Sequence, residues 1–125
     1  MYIHKSTANT IKRLYFTMII LYRAVSQFEK DDFDINRIFR TGENTLEAKQ
    51  FFRSREAIIE FAYNSILQEY DPSYEYLLVI QMDKECLNAI PYTNMLLDGF
   101  DAISIHEDHL PAFNNCIIFV EQEKL

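Results

Sequence analysis

The chain has 125 residues, of which 49% are hydrophobic and 14% aromatic, and its formal net charge is −7. This length and composition predict one globular domain and exclude a disordered polar chain. The acidic charge argues against nucleic acid as a general partner. The chain has two glycines, which are too few to build the glycine-rich phosphate loop of P-loop or Rossmann proteins.

The first strong element is the run FTMIILYRAV at residues 16–25, whose β-branched and aromatic residues predict a buried central strand. The run is far shorter than the roughly 20 apolar residues of a membrane-spanning helix. We therefore expect no membrane partner and a cytoplasmic location. Met18 stands at the start of the strand, so either Met1 or Met18 is the true start of the protein. We interpret residues 1–17 as an N-terminal extension and residues 18–125 as a single domain.

The next segment predicts a helix that begins at Gln27. Ser26 and Glu29 have the spacing of a capping box, in which a serine side chain caps the first turn and a glutamate three residues later supports it. Thr41 and Gly42 mark the predicted end of this helix. The residues expected to face inward are Phe28, Ile35 and Ile38.

A short strand, KQFFRS at residues 49–54, follows a polar loop at 43–48. Ser54 then predicts the N-cap of a second helix over residues 55–68. The predicted buried face of this helix carries Ile58, Phe61, Ala62, Ile66 and Leu67.

The second half of the chain predicts strands with little helix between them. A turn at residues 71–73, a strand at 74–82 and a short helix or turn at 83–91 precede two further strands at 101–106 and 116–123. This order favours a compact α+β domain with a mainly antiparallel sheet of five to six strands and two principal helices.

The two cysteines, Cys86 and Cys116, lie far apart in the sequence and lack the CxxC spacing of a redox or zinc motif. We interpret them as a pair of buried free thiols. Such a pair is typical of a protein from a reducing compartment.

Four ligand-type side chains follow one another in HEDH at residues 106–109. On a strand, successive residues face opposite ways, so His106 and His109 would diverge, and the spacing is one residue short of the HExxH motif of zinc peptidases. We therefore expect no metal and interpret the segment as a polar strand end that runs into a loop. A metal site at the two histidines, or a carboxylate in a cleft, are the alternatives.

Arg23 is the unusual residue of the first strand, because a charged group at the end of an apolar strand is costly unless it is paired or faces a polar cleft. One interpretation is an arginine that reaches solvent or a buried carboxylate. The other is a donor to the phosphate or ribose oxygens of a ligand, which the guanidinium fork suits.

Two segments, LYRAVSQFEKDDFDINRIFRTG at residues 21–42 and NTLEAKQFFRSREAIIEFA at 44–62, resemble a pattern in bacterial ADP-ribosyltransferase-like toxin domains. These include the C-terminal domains of RHS-type polymorphic toxins. The pattern runs Y-R-x-x-S, an acidic helix to T-G, and then K-x-F-x-x-S-x-E. The later segment LDGFDAISIHEDHLPAFN resembles their D-G-I/F segment with an acidic residue beyond it, so that the resemblance spans residues 20–114.

The resemblance implies an α+β fold with a split sheet and NAD as the substrate. In the arginine–serine–glutamate class of these domains, an arginine anchors the NAD phosphate, a serine supports the nicotinamide-ribose pocket, and a glutamate stabilises the oxocarbenium-like transition state. Arg23 and Ser54 match the first two positions. Glu107 is the candidate for the third, with Glu121 and Glu123 as alternatives.

The leading hypothesis is therefore an ADP-ribosyltransferase-like domain, either a small NAD-using toxin or effector or a degenerate copy of one. This resemblance makes a secreted effector the alternative to the cytoplasmic location. Its rival is a non-enzymatic protein-interaction module on the same fold, which binds a protein target or a regulatory or immunity protein. A weaker hypothesis is a metal-dependent hydrolase that uses His106 and His109. The enzymatic hypothesis requires Arg23, Ser54 and one glutamate to lie around a single cleft.

Overall fold

The structure is a computed structural model that describes residues 17–42, 48–68 and 73–125. Within these residues it contains six strands, namely β1 (Met18–Val25), β2 (Ala48–Phe52), β3 (Tyr76–Asp83), β4 (Thr93–Leu97), β5 (Phe100–His106) and β6 (Ile117–Lys124). The helices are α1 (Gln27–Asn36), α2 (Arg55–Leu67), α3 (Lys84–Asn88) and α4 (Leu110–Asn115). The strands form one sheet in the order β4-β5-β2-β1-β3-β6, and every neighbouring pair is antiparallel. The predicted α+β architecture is confirmed, with two short helices added to the two principal ones.

Several predicted segments lie outside the described residues. They are most of the N-terminal extension at 1–17, nearly all of the loop at 43–48, and two residues of the turn at 71–73. Within the described ranges, no helix is long and apolar enough to cross a membrane.

The sheet is weakly joined between β1 and β2. A single residue pair, Tyr22 and Phe52, bridges these strands, whereas β1 pairs with β3 over eight residues and β2 with β5 over five. The strands therefore divide into two half-sheets, β4-β5-β2 and β1-β3-β6. Arg23 follows the bridging Tyr22, at the point where the half-sheets separate.

Helices cover both faces of the sheet. On one face α2 packs against the strands through Ala57, Ile58 and Ala62. On the other face a larger core joins the strands to Phe33 of α1, Leu87 of α3 and Phe113 of α4. The two serine N-caps predicted from the sequence are confirmed, because the Ser26 side chain accepts from the Glu29 N–H at 3.3 Å and the Ser54 side chain from the Ala57 N–H at 3.1 Å. The Glu29 carboxylate, which the capping box assigns to the first turn, instead accepts from Arg23 and Lys49.

The predicted end of α1 near residues 41–42 is wrong, because the helix ends at Asn36. Arg37 adopts the left-handed conformation with φ of 60° and reverses the chain. This reversal carries Phe39 into the core, where its ring contacts those of Phe33, Phe51 and Phe113. Burial of Phe39, which is 2% exposed, therefore decides where the helix stops.

The predicted inward face of α1 is also wrong. Phe28 and Ile35 are 78% and 79% exposed, and Ile38 beyond the helix is 42% exposed. The inward stripe is Glu29 and Phe33, which are four residues apart and so share one face of the helix. In α2 the predicted Ile58 and Ala62 are buried and Phe61 is partly buried, whereas Ile66 and Leu67 are exposed.

A hairpin that the sequence analysis missed forms one edge of the sheet. Strands β4 and β5 are joined by Asp98 and Gly99, whose φ angles are 52° and 85°. Two positive φ angles in a two-residue turn are the geometry that Asp-Gly favours between antiparallel strands.

The HEDH segment differs from the predicted loop. His106 ends β5, residues 107–109 form a 3₁₀ turn, and α4 begins at Leu110. Pro111 is tolerated because it lies in the first turn of this short helix, where a backbone N–H has no partner within the helix.

The prediction of free thiols is wrong, because Cys86 and Cys116 form a disulfide with their Cα atoms 5.5 Å apart. The antiparallel pairing of β3 and β6 brings the two cysteines together. Asp83 at the end of β3 donates its N–H to the Cys116 carbonyl at 3.0 Å, and Cys86 lies in the α3 turn that follows. Sequence spacing does not reveal this pairing, since it depends on the register of two strands.

Candidate functional site

Three charged side chains meet where the half-sheets separate. Arg23 donates from Nε and Nη2 to the two carboxylate oxygens of Glu29 at 2.6 and 2.8 Å, and Lys49 Nζ lies 3.2 Å from Glu29 Oε1. We call Arg23, Glu29 and Lys49 the ion triad. Their side chains are 17%, 22% and 11% exposed, so the triad is largely shielded from water.

Local structure brings these residues together. Ser26 starts α1 directly after β1, and the first turn of the helix carries Glu29 back over the strand that holds Arg23. Lys49 belongs to β2, across the gap between the half-sheets. Arg23 also donates from Nη1 to the Gln50 carbonyl at 2.8 Å. The guanidinium therefore links the two half-sheets where their backbone ladder is nearly absent.

The triad shifts the pKa values of its members. Burial alone would raise the pKa of Glu29, but the charges of Arg23 and Lys49 and their hydrogen bonds outweigh it and lower that pKa to about 2. For Lys49, burial and the nearby Arg23 charge lower the pKa, and Glu29 offsets only part of this effect. Burial also opposes the charge of Arg23, yet its pairing with Glu29 leaves the Arg23 pKa raised.

Above the triad lies a cavity of about 460 Å³, which we call the α1 cavity. Glu29 and Lys49 line its floor, Ser26 and Phe28 come from the start of α1, and the segment after α1 closes the other side. That segment is held in place by Asn114, whose side chain accepts from the Phe39 N–H at 2.8 Å and donates to the Phe39 carbonyl at 2.7 Å.

A second cavity of about 350 Å³, the α4 cavity, adjoins the first. Arg40 and Thr41 line both cavities. Glu107 lines the α4 cavity and accepts a hydrogen bond from the Thr41 hydroxyl at 3.1 Å. Arg40 is paired with Asp32 at 2.6 Å, so the wall between the cavities is fixed to α1 on one side and to Glu107 on the other.

The predicted site residues do not share a cavity. Arg23 lines a void of about 30 Å³ near Phe52 and Tyr74, Ser54 lines a cavity of about 290 Å³ beside Asp101, and Glu107 lines the α4 cavity. The predicted pairing of Arg23 with a buried carboxylate is confirmed by its contact with Glu29.

The alternative glutamates lie on β6. Glu121 is exposed there, and Glu123 forms a bidentate ion pair with Arg55 of α2. Both lie on a strand at the edge of the sheet, and neither is among the residues that line the cavities of Arg23, Ser54 and Glu107.

The two histidines of HEDH lie near each other, with ring centroids 6.5 Å apart. His106 Nδ1 accepts from the Asp108 N–H at 3.1 Å and so caps the 3₁₀ turn. Among the described residues, no three His, Cys, Asp or Glu side chains are arranged to hold a metal ion.

Sequence reasoning missed Lys49 and the role of Glu29. A usable signal existed for Arg23, because it is the single cation in an otherwise apolar strand, and such a cation requires an acidic partner. The only acidic residue in the first turn of the intervening helix is Glu29.

No protein-family model matches this chain, and no curated protein or solved structure is significantly similar to it.

Proposed function

We propose that this domain is a non-enzymatic protein-interaction module that binds a basic partner protein through the outer stripe of α1. The observation that carries this proposal is the exposure of Phe28 and Ile35, at 78% and 79%. The two residues are seven positions apart, so they lie two turns apart on the same stripe of the helix. Isolated apolar residues are common on surfaces, whereas two large ones in helical register form a patch that can bind a partner. Tyr63 and Leu67 of α2, at 65% and 78% exposure, form a second such pair and serve as the comparison surface.

The charge around these residues indicates what kind of partner fits. Asp31 and Asp32 lie between the two apolar side chains along the stripe, and of these two Asp32 is paired with Arg40. The chain as a whole has a net charge of −7. Asp31 is exposed and accepts a hydrogen bond from the neutral amide of Gln27 at 2.8 Å, so its charge is not cancelled by that contact. A partner with an apolar pocket ringed by Lys and Arg would complement this stripe.

The positions of the predicted catalytic residues support a binding role over an enzymatic one. NAD cleavage requires an anchored diphosphate and a carboxylate beside the same ribose. Arg23 directs its guanidinium to Glu29 and the Gln50 carbonyl, and it lines a different cavity from Glu107.

Site-specific crosslinking tests the proposal. A photo-reactive benzoylphenylalanine at position 28 should crosslink to a protein with a basic surface, whereas the same group at Tyr63 should not. Tyr63 is a matched control because it is an aromatic residue that is 65% exposed on α2, which covers the other face of the sheet.

The captured protein must then bind the purified domain. The double variant Phe28→Ser/Ile35→Ser should weaken this binding by about tenfold or more, because central apolar residues carry much of an interface's energy. The matched variant Tyr63→Ser/Leu67→Ser should bind as the wild type does. Equal binding by both variants, or an acidic partner, would contradict the proposal.

A second candidate is an NAD-binding ADP-ribosyltransferase-like domain, either a small toxin or effector or a degenerate copy. The specific observation in its favour is the division of the sheet at Arg23, because the resemblance implies a split sheet with an arginine on its first strand. In this case Arg23 must exchange Glu29 for a phosphate. Titration with millimolar NAD separates the candidates. Heat of binding that is weakened in Arg23→Ala and only partly recovered in Arg23→Lys, with nicotinamide release that is lost in Glu107→Gln, would favour the enzyme. A folded protein that neither binds nor cleaves NAD would favour the interaction module.

The disulfide bears on where the module acts. Disulfides persist in oxidising compartments and are rare in the cytosol. The Cys86–Cys116 bond therefore supports the secreted alternative over the cytoplasmic location that the sequence favoured.

A further inference from the structure

Among the described residues, those that line the α1 cavity, taken together with Arg23, carry one more positive charge than negative charges. Lys49 and Arg40 line the cavity with two positive charges, and Glu29 and Asp32 line it with two negative charges. Arg23 does not line the cavity, but its ion pair with Glu29 adds a third positive charge next to it. Arg40 and Asp32 pair with each other at 2.6 Å. The excess charge therefore belongs to the ion triad, in which one carboxylate is shared by two cations.

The carboxylates that line the cavity already accept hydrogen bonds. Glu29 accepts from Arg23 through both oxygens and from Lys49 through one of them, and Asp32 accepts from Arg40. The ammonium group of Lys49 has three N–H donors. Among the described residues its one hydrogen bond is to Glu29, at 3.2 Å, although Lys49 is only 9% exposed. The cavity therefore presents spare donors from a buried cation.

We infer that the α1 cavity binds the carboxylate of a small organic acid, with Lys49 as its cationic partner. A single negative charge balances the triad, whereas a dianionic phosphate ester would leave a surplus beside Glu29 and Asp32. The volume of about 460 Å³ is that of a small-molecule site. Phe28 lines the same cavity, so the acid that fits best has an aromatic or other apolar group next to its carboxylate. This site is distinct from the outer stripe of α1, although Phe28 borders both.

Benzoate is the probe, and benzamide is its neutral counterpart of the same shape. Calorimetric titration of the folded protein should show saturable binding of benzoate and at least about tenfold weaker binding of benzamide, because the charge-assisted hydrogen bond from Lys49 is lost. Lys49→Met should weaken benzoate binding by about tenfold or more. Lys30→Met is the matched control, since Lys30 also pairs with a carboxylate, that of Asp34, but does not line the cavity.

A measurement on the wild type removes any dependence on the folding of the variants. Benzoate should shift the NMR resonances of the Lys49 side chain and leave those of Lys30 in place. The inference is overturned if benzoate does not saturate, if benzamide binds equally well, or if the Lys30 resonances respond and those of Lys49 do not.

Discussion

Glu29→Gln is the substitution that most directly tests how the two half-sheets are held together. The variant keeps the size of the side chain but removes the charge that two largely buried cations share. The lowering of the Glu29 pKa from 4.5 to about 2 corresponds to about 3 kcal/mol of stability at neutral pH. Removal of one partner from a buried ion pair costs about 3–5 kcal/mol in other proteins. We therefore expect Glu29→Gln to lower the free energy of unfolding by about 3 kcal/mol at pH 7.

Urea unfolding followed by circular dichroism measures this loss, and its pH dependence identifies the cause. Because the pKa of Glu29 is lowered by folding, its contribution is present above the unfolded value of 4.5 and is lost as the pH falls toward 2. The wild type should lose this component over that range, and Glu29→Gln should lack it. Glu60→Gln, an exposed residue on α2, is the control and should change stability by less than about 0.5 kcal/mol. A Glu29→Gln variant as stable as the control, or one with the acid profile of the wild type, would refute the role of the triad.

Two further predictions concern the disulfide and the core. Cys86→Ala/Cys116→Ala should lower the free energy of unfolding by about 3–4 kcal/mol, because the bond closes a loop between residues 30 positions apart. Under non-reducing conditions, the wild type should show no reactive thiol with a thiol reagent. Val79→Asp should unfold the domain, because Val79 is 7% exposed in β3 and an unpaired carboxylate there is costly. Ile118→Asp, at an exposed position of β6, is the control in a thermal scan. A Val79→Asp variant that melts no earlier than Ile118→Asp would show that the core is assigned wrongly.

Local patterns predicted most elements, because their causes are local. The apolar runs of β1 and β3 and the capping serines Ser26 and Ser54 act over a few neighbouring residues. The β4–β5 hairpin was predictable in the same way, since Asp98-Gly99 is a strong turn signal, but it was interpreted only as part of a family pattern. The disulfide was not predictable, because the β3–β6 register brings its cysteines together.

The orientation of α1 could not be predicted from hydrophobic spacing, because the apolar residues of this helix lie on more than one side. Phe28, Phe33 and Ile35 do not lie on one side of the helix, so hydrophobic spacing alone does not decide which side faces the sheet. The tertiary contact between Glu29 and Arg23 decides it, and Glu29 is four residues before Phe33, on the same face. Reasoning from hydrophobicity alone therefore placed Phe28 and Ile35 in the core.

The same rotation connects the interior of the protein to its proposed surface. When α1 turns Glu29 toward Arg23, Phe28 and Ile35 are carried to the outside, where no described residue buries them. Phe28 and Ile35 stay exposed because the ion triad and Phe33 fix the orientation of α1 through its inward face. Variants of Glu29 should therefore affect more than stability. The neutral side chain of Glu29→Gln no longer pairs with Arg23, so α1 can turn the outer stripe that carries Phe28 and Ile35 inward. Partner binding should therefore weaken in this variant. Partner binding that is unchanged in a folded Glu29→Gln variant would show that the helix orientation is fixed by Phe33 alone.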